Sequence, residues 1–532
     1  MLATKKLKTV LSAVLMSSVV ISAAACSSDK NATSTPGVST GTTPAASQAS
    51  GPLIELKAIT MGAEPASGMA NFYKKLDELT KKDFNATVRF TFIPWGDEKN
   101  QISRAIVAKE YDLYVGGAWS DFKNFAVKNA FADLTPFLKN TPKLTERYGD
   151  ILDRLKIDGK NYGIPQLSKP GIAAGEGMLF REDLRKKWGL PEITNLETAE
   201  KYLYKAKQEF PDTPMIIDKR AVNNVWAMVA GNKYLTVTSL NGTVLTVASV
   251  DEPYKAMSIY DTPEFKQVLG YVKKWYDDGI IAHDVLASQG NEGDKTKELM
   301  KAGKKPLEFN NQFYAVSSNY IATIKDAHPE FELNWVDFSM MNPKTIFLPS
   351  HSNETTTMIS VGAQSKNVET ALKFIEKAHV DQTYYNLLSF GVEGENYKMV
   401  NGAVSSEGID AKNKKPAWTG LSDGFMNPEP KYPAEWQGIY EKLKSAGEAL
   451  VPSLKMNPYE GFVFNTSELA AENSSLETVR TQFALPLVVG MVKKNQEADL
   501  EALKQQLKGA GFDKYMAALQ KQLDTFAAAK KK

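Results

Sequence analysis

Histidine and cysteine, two residue types that carry much enzyme chemistry, are scarce in this chain and poorly spaced for it. A Gly-x-Ser-x-Gly pattern occurs at 37–41, but no strand precedes it and no helix follows it, so the strained turn of a hydrolase nucleophile cannot form there. The 4 histidines show no paired metal-ligand spacing. Because Cys26 is the 1 cysteine, an intrachain disulfide and Cys-rich metal sites are excluded.

The N-terminal residues have the pattern of an export signal. A lysine-rich start precedes an apolar stretch from Val10 to about Ile21. This stretch is shorter than the roughly 20 residues that a membrane-spanning helix needs. Ala-Ala-Ala-Cys at 23–26 resembles a bacterial lipobox, and the alternative is cleavage before the cysteine without lipidation. We predict a signal peptide at 1–25 and a lipid on Cys26 that anchors the chain to the outer face of the cytoplasmic membrane.

Residues 26–52 are nearly all small or polar, and we predict that they form a disordered tether. The 64 Lys and Arg against 62 Asp and Glu give a formal charge of +2. This balance argues against a nucleic-acid partner, since such a protein must neutralise many phosphates. It fits a nonionic ligand best.

From Leu53 onward the pattern is that of a folded α/β protein. Strand, helix, strand, helix and strand follow one another between 53 and 117, which predicts a parallel sheet covered by crossover helices. A helix is predicted at 263–278, with Trp275 in its buried stripe and Gly279 as its stop. Later strands are predicted at 306–311, 331–338 and 355–363, and later helices at 368–380, 476–492, 498–509 and 512–529.

The order of several segments resembles the bacterial extracellular solute-binding proteins that feed ABC importers. The resemblance is to the carbohydrate-binding group that includes the maltose-binding type, and most of all to its large Gram-positive lipoproteins. Besides the lipobox, the matching segments are YDLYVGGAWSDFKNFAVKNAFADLTPFL, DGKNYGIPQ, MLFREDLRKKWGL, WYDDGIIAHDVL, ALKFIEKAHVDQTYYNLLSFGVEGENY and GFDKYMAALQKQLD.

This resemblance implies a type II periplasmic-binding-protein fold of two α/β lobes joined by a hinge, with the ligand cleft between them. The N-lobe would comprise 53–168 plus 311–363, and the C-lobe 169–310 plus 364–532. The chain would cross between lobes near 166–171, 309–312 and 362–366. Some family members carry a calcium loop where this chain has only PDTPMII, so we expect no metal there and no cofactor.

A sugar site needs aromatic platforms for the C–H faces and polar side chains for the hydroxyls. Ligands of open α/β sheets lie beyond the carboxyl ends of strands. The loops after the first and third strands supply Glu64, Trp119, Ser120 and Asp121. The segment NNQFY, which resembles a ligand-contacting segment of the family, supplies Gln312 and Phe313.

Four further candidates come from segments with competing explanations. Gln166 lies at the first predicted crossing. Trp226 either lines the second lobe or packs a helix, and Trp418 lies either in the cleft or in a surface loop. Glu393 either binds ligand or caps nearby backbone amides.

We therefore expect a monomeric, non-enzymatic lipoprotein that captures an oligosaccharide by hinge closure and delivers it to the permease subunits of an ABC importer. The main alternative is a secreted glycoside hydrolase, which also needs a sugar cleft and two carboxylates. A third possibility is an adhesion or structural lipoprotein without a small-molecule ligand.

Overall fold

The computed structural model describes residues 51–530, apart from 63, 65–67, 95–97, 168–175, 232, 241, 289–291, 313–320, 342–356, 406–407, 411–412, 414–418, 423–433, 451–456 and 460. Its strands are β1 (Ile54–Met61), β2 (Ala86–Ile93), β3 (Leu113–Gly116), β4 (Ile164–Pro165), β5 (Glu176–Arg181), β6 (Tyr234–Leu240), β7 (Thr243–Ser249), β8 (Met257–Ser258), β9 (Leu307–Gln312), β10 (Leu333–Asp337), β11 (Met358–Val361), β12 (Lys398–Val400) and β13 (Ala403–Ser405).

The α-helices are α1 (Met69–Phe84), α2 (Glu98–Ala108), α3 (Phe122–Val127), α4 (Pro142–Tyr148), α5 (Asp150–Arg154), α6 (Glu182–Lys187), α7 (Leu196–Glu209), α8 (Ala221–Ala230), α9 (Pro263–Asp277), α10 (Glu292–Lys301), α11 (Ile321–Ala327), α12 (Val368–Val380), α13 (Gln382–Phe390), α14 (Ala434–Leu450), α15 (Ala470–Val479), α16 (Leu485–Val488), α17 (Gln496–Gly509) and α18 (Phe512–Lys530).

The first lobe is built on a sheet with strand order β2-β1-β3-β11-β4. β1 is parallel to β2 and β3, which confirms the predicted arrangement of these three strands, whereas β11 is antiparallel to both of its neighbours. Leu56 and Ala58 belong to the core on one face of the sheet, together with residues of α12 and α13. Ile59 and Met61 belong to the core on the other face. Both faces are therefore covered, as expected for parallel strands.

One edge of this sheet collects the carboxyl ends of its parallel strands. β3 ends at Gly116 and β4 at Pro165, and Met358 at the start of β11 lies opposite both residues. β1 runs in the same direction as β3 and ends at Met61. We call this boundary the first-lobe edge.

The second lobe is built on an antiparallel sheet with strand order β10-β5-β9. Phe180 packs into the core formed with α7, α8, α9 and the C-terminal helices, while its neighbour Leu179 packs into the core formed with α11 and α14. Glu176 at the start of β5 pairs with Gln312 at the end of β9, and Gly177 pairs with Asp337 at the end of β10. These strand ends form what we call the second-lobe edge. Two smaller antiparallel sheets, β6-β7-β8 and β12-β13, complete the strand pairing.

The connection between the lobes joins the two edges. β4 ends on the first-lobe edge and β5 begins on the second-lobe edge, so the chain passes directly from one to the other. Loops at the carboxyl ends of strands, at a point where the chain changes sheets, are where α/β proteins bind ligands. A ligand-binding site is therefore expected at these two edges.

Packing does not follow the predicted lobe boundaries beyond residue 310. β10 was assigned to the N-lobe, but it pairs with β5 in the second sheet. α12 and α13 were assigned to the C-lobe, but Leu372, Phe374 and Tyr384 pack in the first-lobe core. The boundaries came from the family resemblance. Sequence periodicity could not check them, because it shows that a helix has a buried face without showing which sheet covers it.

Most predicted helices and strands are confirmed, with one exception in the C-terminal region. α9 begins with Pro263 in its first turn, Trp275 is 0% exposed, and Gly279 adopts a φ of 66°. Trp335 on β10 is also buried. The single helix predicted at 476–492 is divided, because a π-helical turn at 480–484 separates α15 from α16. Pro486 lacks the N–H that a continuous α-helix would need there.

Within the part of the chain that the structure describes, no helix combines the length and hydropathy required to cross a bilayer.

Candidate functional site

The loop after β3 is held in shape by a buried serine. A 3₁₀ turn spans Ala118–Ser120, and the Ser120 hydroxyl accepts a hydrogen bond from the Gly117 N–H at 2.9 Å and donates to the Gly117 carbonyl at 3.2 Å. A Cβ atom on Gly116 would lie 2.5 Å from the Ser120 Oγ, so this close approach requires glycine. Ser120 is 2% exposed, and we assign it to positioning the loop.

The two residues beside Ser120 remain at the first-lobe edge. Trp119 is half-buried and packs against the core on that face of the sheet. Asp121 is half-buried, adopts a φ of 71° and accepts a hydrogen bond from Asn124 at 2.6 Å. The loop thus places an indole ring and a carboxylate on rigid backbone.

Glu64 and Gln166 lie on the same edge. Glu64 is exposed, and its charge adds to the burial that raises the pKa of Tyr73. Gln166 is half-buried, and its side-chain amide donates to the Ser422 carbonyl. The Thr60 hydroxyl donates to the Thr419 carbonyl at 3.0 Å. The segment 419–422 therefore lies against the ends of β1 and β4, beside the predicted site.

The remaining candidates are dispersed or lie outside the described residues. Gln312 ends β9 on the second-lobe edge, as its backbone pairing shows. The Trp226 ring on α8 packs 5.8 Å from the Tyr234 ring. Glu393 is exposed and accepts a hydrogen bond from the Met399 N–H at 3.4 Å. The candidates that fall outside the described residues are Phe313, Trp418 and the lipidation residue Cys26.

The second-lobe edge carries a polar network that the sequence analysis missed. Asp218 accepts hydrogen bonds from the Arg220 backbone N–H at 2.8 Å and from the Arg220 guanidinium at 2.6 Å. The amide of Asn310 donates to Asp218 at 3.1 Å and accepts from Asn224 at 2.7 Å. Asp218 and Arg220 come from the loop before α8, Asn224 from α8, and Asn310 from β9. We call these four residues the second-lobe network.

Two carboxyl groups at this edge have opposite pKa shifts. Burial alone would raise the pKa of Asp218, but the hydrogen bonds and charge of Arg220, with a hydrogen bond from Asn310, outweigh it and lower the pKa. Glu176 is exposed as a residue, yet the surrounding protein desolvates its carboxyl. This desolvation outweighs a hydrogen bond from Asn224 and the charge of Arg220, so the pKa of Glu176 is raised. The edge thus presents two carboxyls, one guanidinium and two amides.

No group of three or more His, Cys, Asp or Glu side chains suited to holding a metal ion occurs among the residues described by the structure. The arrangement offers an aromatic ring on one lobe and hydrogen-bonding groups on both. An aromatic surface with a few hydrogen-bonding groups is typical of a binding site for a small polar molecule.

Two sheets with polar groups at their strand ends, connected between β4 and β5, are typical of a two-lobe binding protein. The model for the family described as bacterial extracellular solute-binding protein matches residues 74–386, more than half of the chain. The chain therefore belongs to this family. A second model, described only as a domain of unknown function, matches residues 458–528.

Known proteins resemble the chain over most of its length. A carbohydrate ABC transporter substrate-binding protein of Streptococcus pneumoniae is 23% identical over 491 residues, which are 90% of this chain and 91% of that protein. Lipoprotein LipO of Bacillus subtilis is 23% identical over 81% of this chain and 86% of its own length.

Solved structures agree on the fold. The N-glycan transport solute binding protein NgtS of Streptococcus pneumoniae has a TM-score of 0.69 and 20% identity, covering 90% of this chain and 100% of that one. The alginate-binding protein AlgQ2 has a TM-score of 0.61 and 15% identity, covering 89% and 98%. The predicted periplasmic-binding-protein fold, of two α/β lobes with a cleft between them, is confirmed.

Proposed function

We propose that this protein is the substrate-binding component of an ABC importer, which captures an oligosaccharide between its two lobes and releases it unaltered to the permease. Family membership makes it an extracellular solute-binding protein. The relative from Streptococcus pneumoniae is named for carbohydrate transport, and NgtS for N-glycan transport. Both names support a carbohydrate ligand here.

The observation that carries the proposal is that Trp119 lies on the first-lobe edge and the second-lobe network lies on the second-lobe edge. An indole ring offers an apolar face for sugar C–H groups, and amides both donate to and accept from hydroxyls. Asn224 and Asn310 hold each other's amides in fixed orientations, which lowers the entropy lost when a ligand binds. Neither part of the site requires a metal or a nucleophile.

The charges at the second-lobe edge favour a neutral sugar over an acidic one. Asp218 neutralises Arg220 through hydrogen bonds to its guanidinium, and Glu176 adds a second carboxyl nearby. An acidic sugar placed there would face the carboxyl groups of Asp218 and Glu176, and the Arg220 guanidinium is already paired with Asp218. Like charges in such proximity are unfavourable.

We further propose that the protein acts at the outer face of the cytoplasmic membrane as a monomer held by a lipid on Cys26. The lipobox-like sequence at 23–26 and the similarity to Lipoprotein LipO support the anchor. Mass spectrometry of the membrane fraction tests it, because a Cys26→Ser variant should lose both the lipid mass and the membrane association.

The function is tested by thermal-shift measurements with a panel of neutral and acidic oligosaccharides, followed by chromatography of each hit after long incubation. We expect stabilisation by a neutral oligosaccharide that is recovered intact. Cleaved products would refute capture without chemistry and indicate a glycoside hydrolase. A protein that responds to none of the sugars would refute carbohydrate capture.

Trp119→Ala should weaken binding of the best ligand by about 1 to 3 kcal/mol, because an aromatic contact at the centre of a site is lost. Isothermal titration calorimetry measures the change. Trp188→Ala is the matched control, since Trp188 packs 5.3 Å from Tyr202 in the second-lobe core. Equal affinity of folded Trp119→Ala and the parent protein would remove Trp119 from the site.

A further inference from the structure

A cavity of about 380 Å³ lies in the first lobe beside the start of α1. This volume is within the range of about 300 to 1,000 Å³ found for small-molecule sites. We call it the side pocket. It is lined by three glycines, Ile409, the amides of Asn71, Asn396 and Asn413, and the carboxylates of Glu395 and Asp410.

The wall of the side pocket is held in place by Asn396. Its amide oxygen accepts a hydrogen bond from the Val392 N–H at 2.8 Å, and its amide nitrogen donates to the Asn413 carbonyl at 2.9 Å. A Cβ atom on Gly391 would lie 2.4 Å from the Asn396 Oδ1, so this packing requires glycine. The wall is therefore formed before any ligand arrives.

Asn71 and Glu395 form the polar centre of the pocket. The Asn71 amide nitrogen donates to both Glu395 carboxylate oxygens, at 3.0 and 3.1 Å, and both residues are exposed. Each carboxylate oxygen has a further lone pair, because an ionised carboxylate offers about four acceptor sites. The pair thus presents oriented acceptors to whatever enters.

The side pocket is close in sequence to the first-lobe edge. Gly68, one of its lining glycines, immediately precedes α1, and the loop from the end of β1 to Gly68 carries Glu64. Gly68 is four positions beyond Glu64 in the chain, so their Cα atoms are at most about 14 Å apart. An arm of a ligand that reaches from Glu64 to Gly68 therefore has to span at most about 14 Å.

The chemistry of the side pocket suits the hydroxyls of a neutral sugar. The described residues that line it include amides and carboxylates, and no aromatic or basic side chain. The ammonium group of Lys398 approaches from the rim, 3.3 Å from the position of a Cβ on Gly408. Without an aromatic platform, the pocket contributes hydrogen bonds and little stacking, which fits a subsidiary arm.

Resting on the proposed function, we propose that the side pocket binds a second arm of a branched neutral oligosaccharide whose main chain lies between the lobes. The protein would then distinguish branched from linear sugars through a part of the first lobe that is separate from the second-lobe network.

The test compares linear mannotriose with branched mannopentaose, and linear maltotriose with a singly branched maltooligosaccharide, by isothermal titration calorimetry. In whichever pair binds, we expect the affinity for the branched sugar to exceed that for the linear sugar by at least tenfold. Asn71→Ala and Glu395→Gln should each remove most of that advantage and change affinity for the linear member by less than about twofold. Glu78→Gln, an exposed acid on the same helix, is the matched control and should change neither.

The outcomes separate this proposal from the proposed function. If linear sugars bind and branched ones bind no better, the proposed role of the side pocket is refuted, while the proposed capture of oligosaccharides still stands. The same holds if a preference for branched sugars persists in both variants. Failure to bind any of the four sugars would overturn both for these ligands. A thermal melt of each variant, equal to that of the parent, confirms that the lost preference does not come from misfolding.

Discussion

Replacement of Asp218 by alanine should damage both the stability and the binding site of the second lobe. Asp218 accepts hydrogen bonds from the backbone N–H of Arg220 at 2.8 Å, from its guanidinium at 2.6 Å and from Asn310 at 3.1 Å. Its side chain is 11% exposed. The substitution therefore leaves three donors without their acceptor in a largely buried position.

The magnitude follows from how well water can replace each lost bond. Hydrogen bonds to charged groups contribute about 1.5 to 3 kcal/mol. The Arg220 side chain is 56% exposed and can be resolvated, so we assign this pair only about 1 kcal/mol. A donor of Asn310 left without a partner costs about 1 to 3 kcal/mol. We expect Asp218→Ala to lower the free energy of unfolding by about 2 to 4 kcal/mol, and Asp218→Asn, which keeps an acceptor for Asn310, by about half as much.

Chemical denaturation gives the stability change, and calorimetry at a temperature where each variant is folded gives the change in affinity. Affinity for the best oligosaccharide should fall at least tenfold in Asp218→Ala, because the amide of Asn310 is no longer oriented. Glu332→Ala breaks an exposed ion pair with Lys186 of the same 2.6 Å length and should leave the denaturation midpoint unchanged. If Asp218→Ala matched the parent protein in both measurements, the network would be neither structural nor part of the site.

Two further predictions concern backbone packing and pH. Gly177→Ala should destabilise the protein by about 1 to 3 kcal/mol or more, because the added Cβ would lie 2.2 Å from the Val336 carbonyl oxygen. Gly270 lies in α9 with open space around it, so Gly270→Ala should instead stabilise the protein by up to about 1 kcal/mol. Chemical denaturation measures both changes. Burial lowers the pKa of Lys305 to about 8. Since an unfolded lysine titrates near about 10.4, the unfolded state binds more protons between these values, and stability should rise by roughly 2 to 3 kcal/mol as pH increases from 8 to 10. Lys305→Met should lack this rise, and a parallel pH dependence in both proteins would contradict the assignment.

The sequence predicted local structure well where hydrophobic periodicity was strong. α9 and α12 occupy the residues expected of them, because each has a regular apolar stripe that any neighbouring sheet would bury. The lobe to which α12 belongs was predicted wrongly, since this depends on contacts with distant strands. β11 pairs with β3 and β4, and that pairing brings α12 onto the first lobe.

The sequence and the structure point to different residues for the candidate site, for a reason that concerns residue type. The sequence placed candidates beyond the carboxyl ends of readable strands, and the structure has Trp119 and its loop on the first-lobe edge, where their role in binding stays a prediction. On the second lobe, the sequence indicated Trp226 and Gln312, whereas the network in the structure contains their near neighbours Asn224 and Asn310. A tryptophan stands out in a sequence because it is rare and large. Asn224 and Asn310 form part of a polar network only through their hydrogen bonds to each other and to the loop before α8, which the sequence does not show.

The C-terminal region, residues 457–530, connects the fold to the site in a way that neither family match describes. Phe462 packs in the second-lobe core, 5.3 Å from the ring of Phe526 on α18. The Phe462 carbonyl accepts a hydrogen bond at 2.8 Å from Lys123, which lies on α3 two residues beyond Asp121, and the next residue, Val463, packs against the first-lobe core. Any rotation of one lobe relative to the other must therefore either carry this segment along or break its contact with α3. The C-terminal region thus contacts α3, the helix that follows the loop of Trp119, and its packing constrains the motion by which a two-lobe receptor closes.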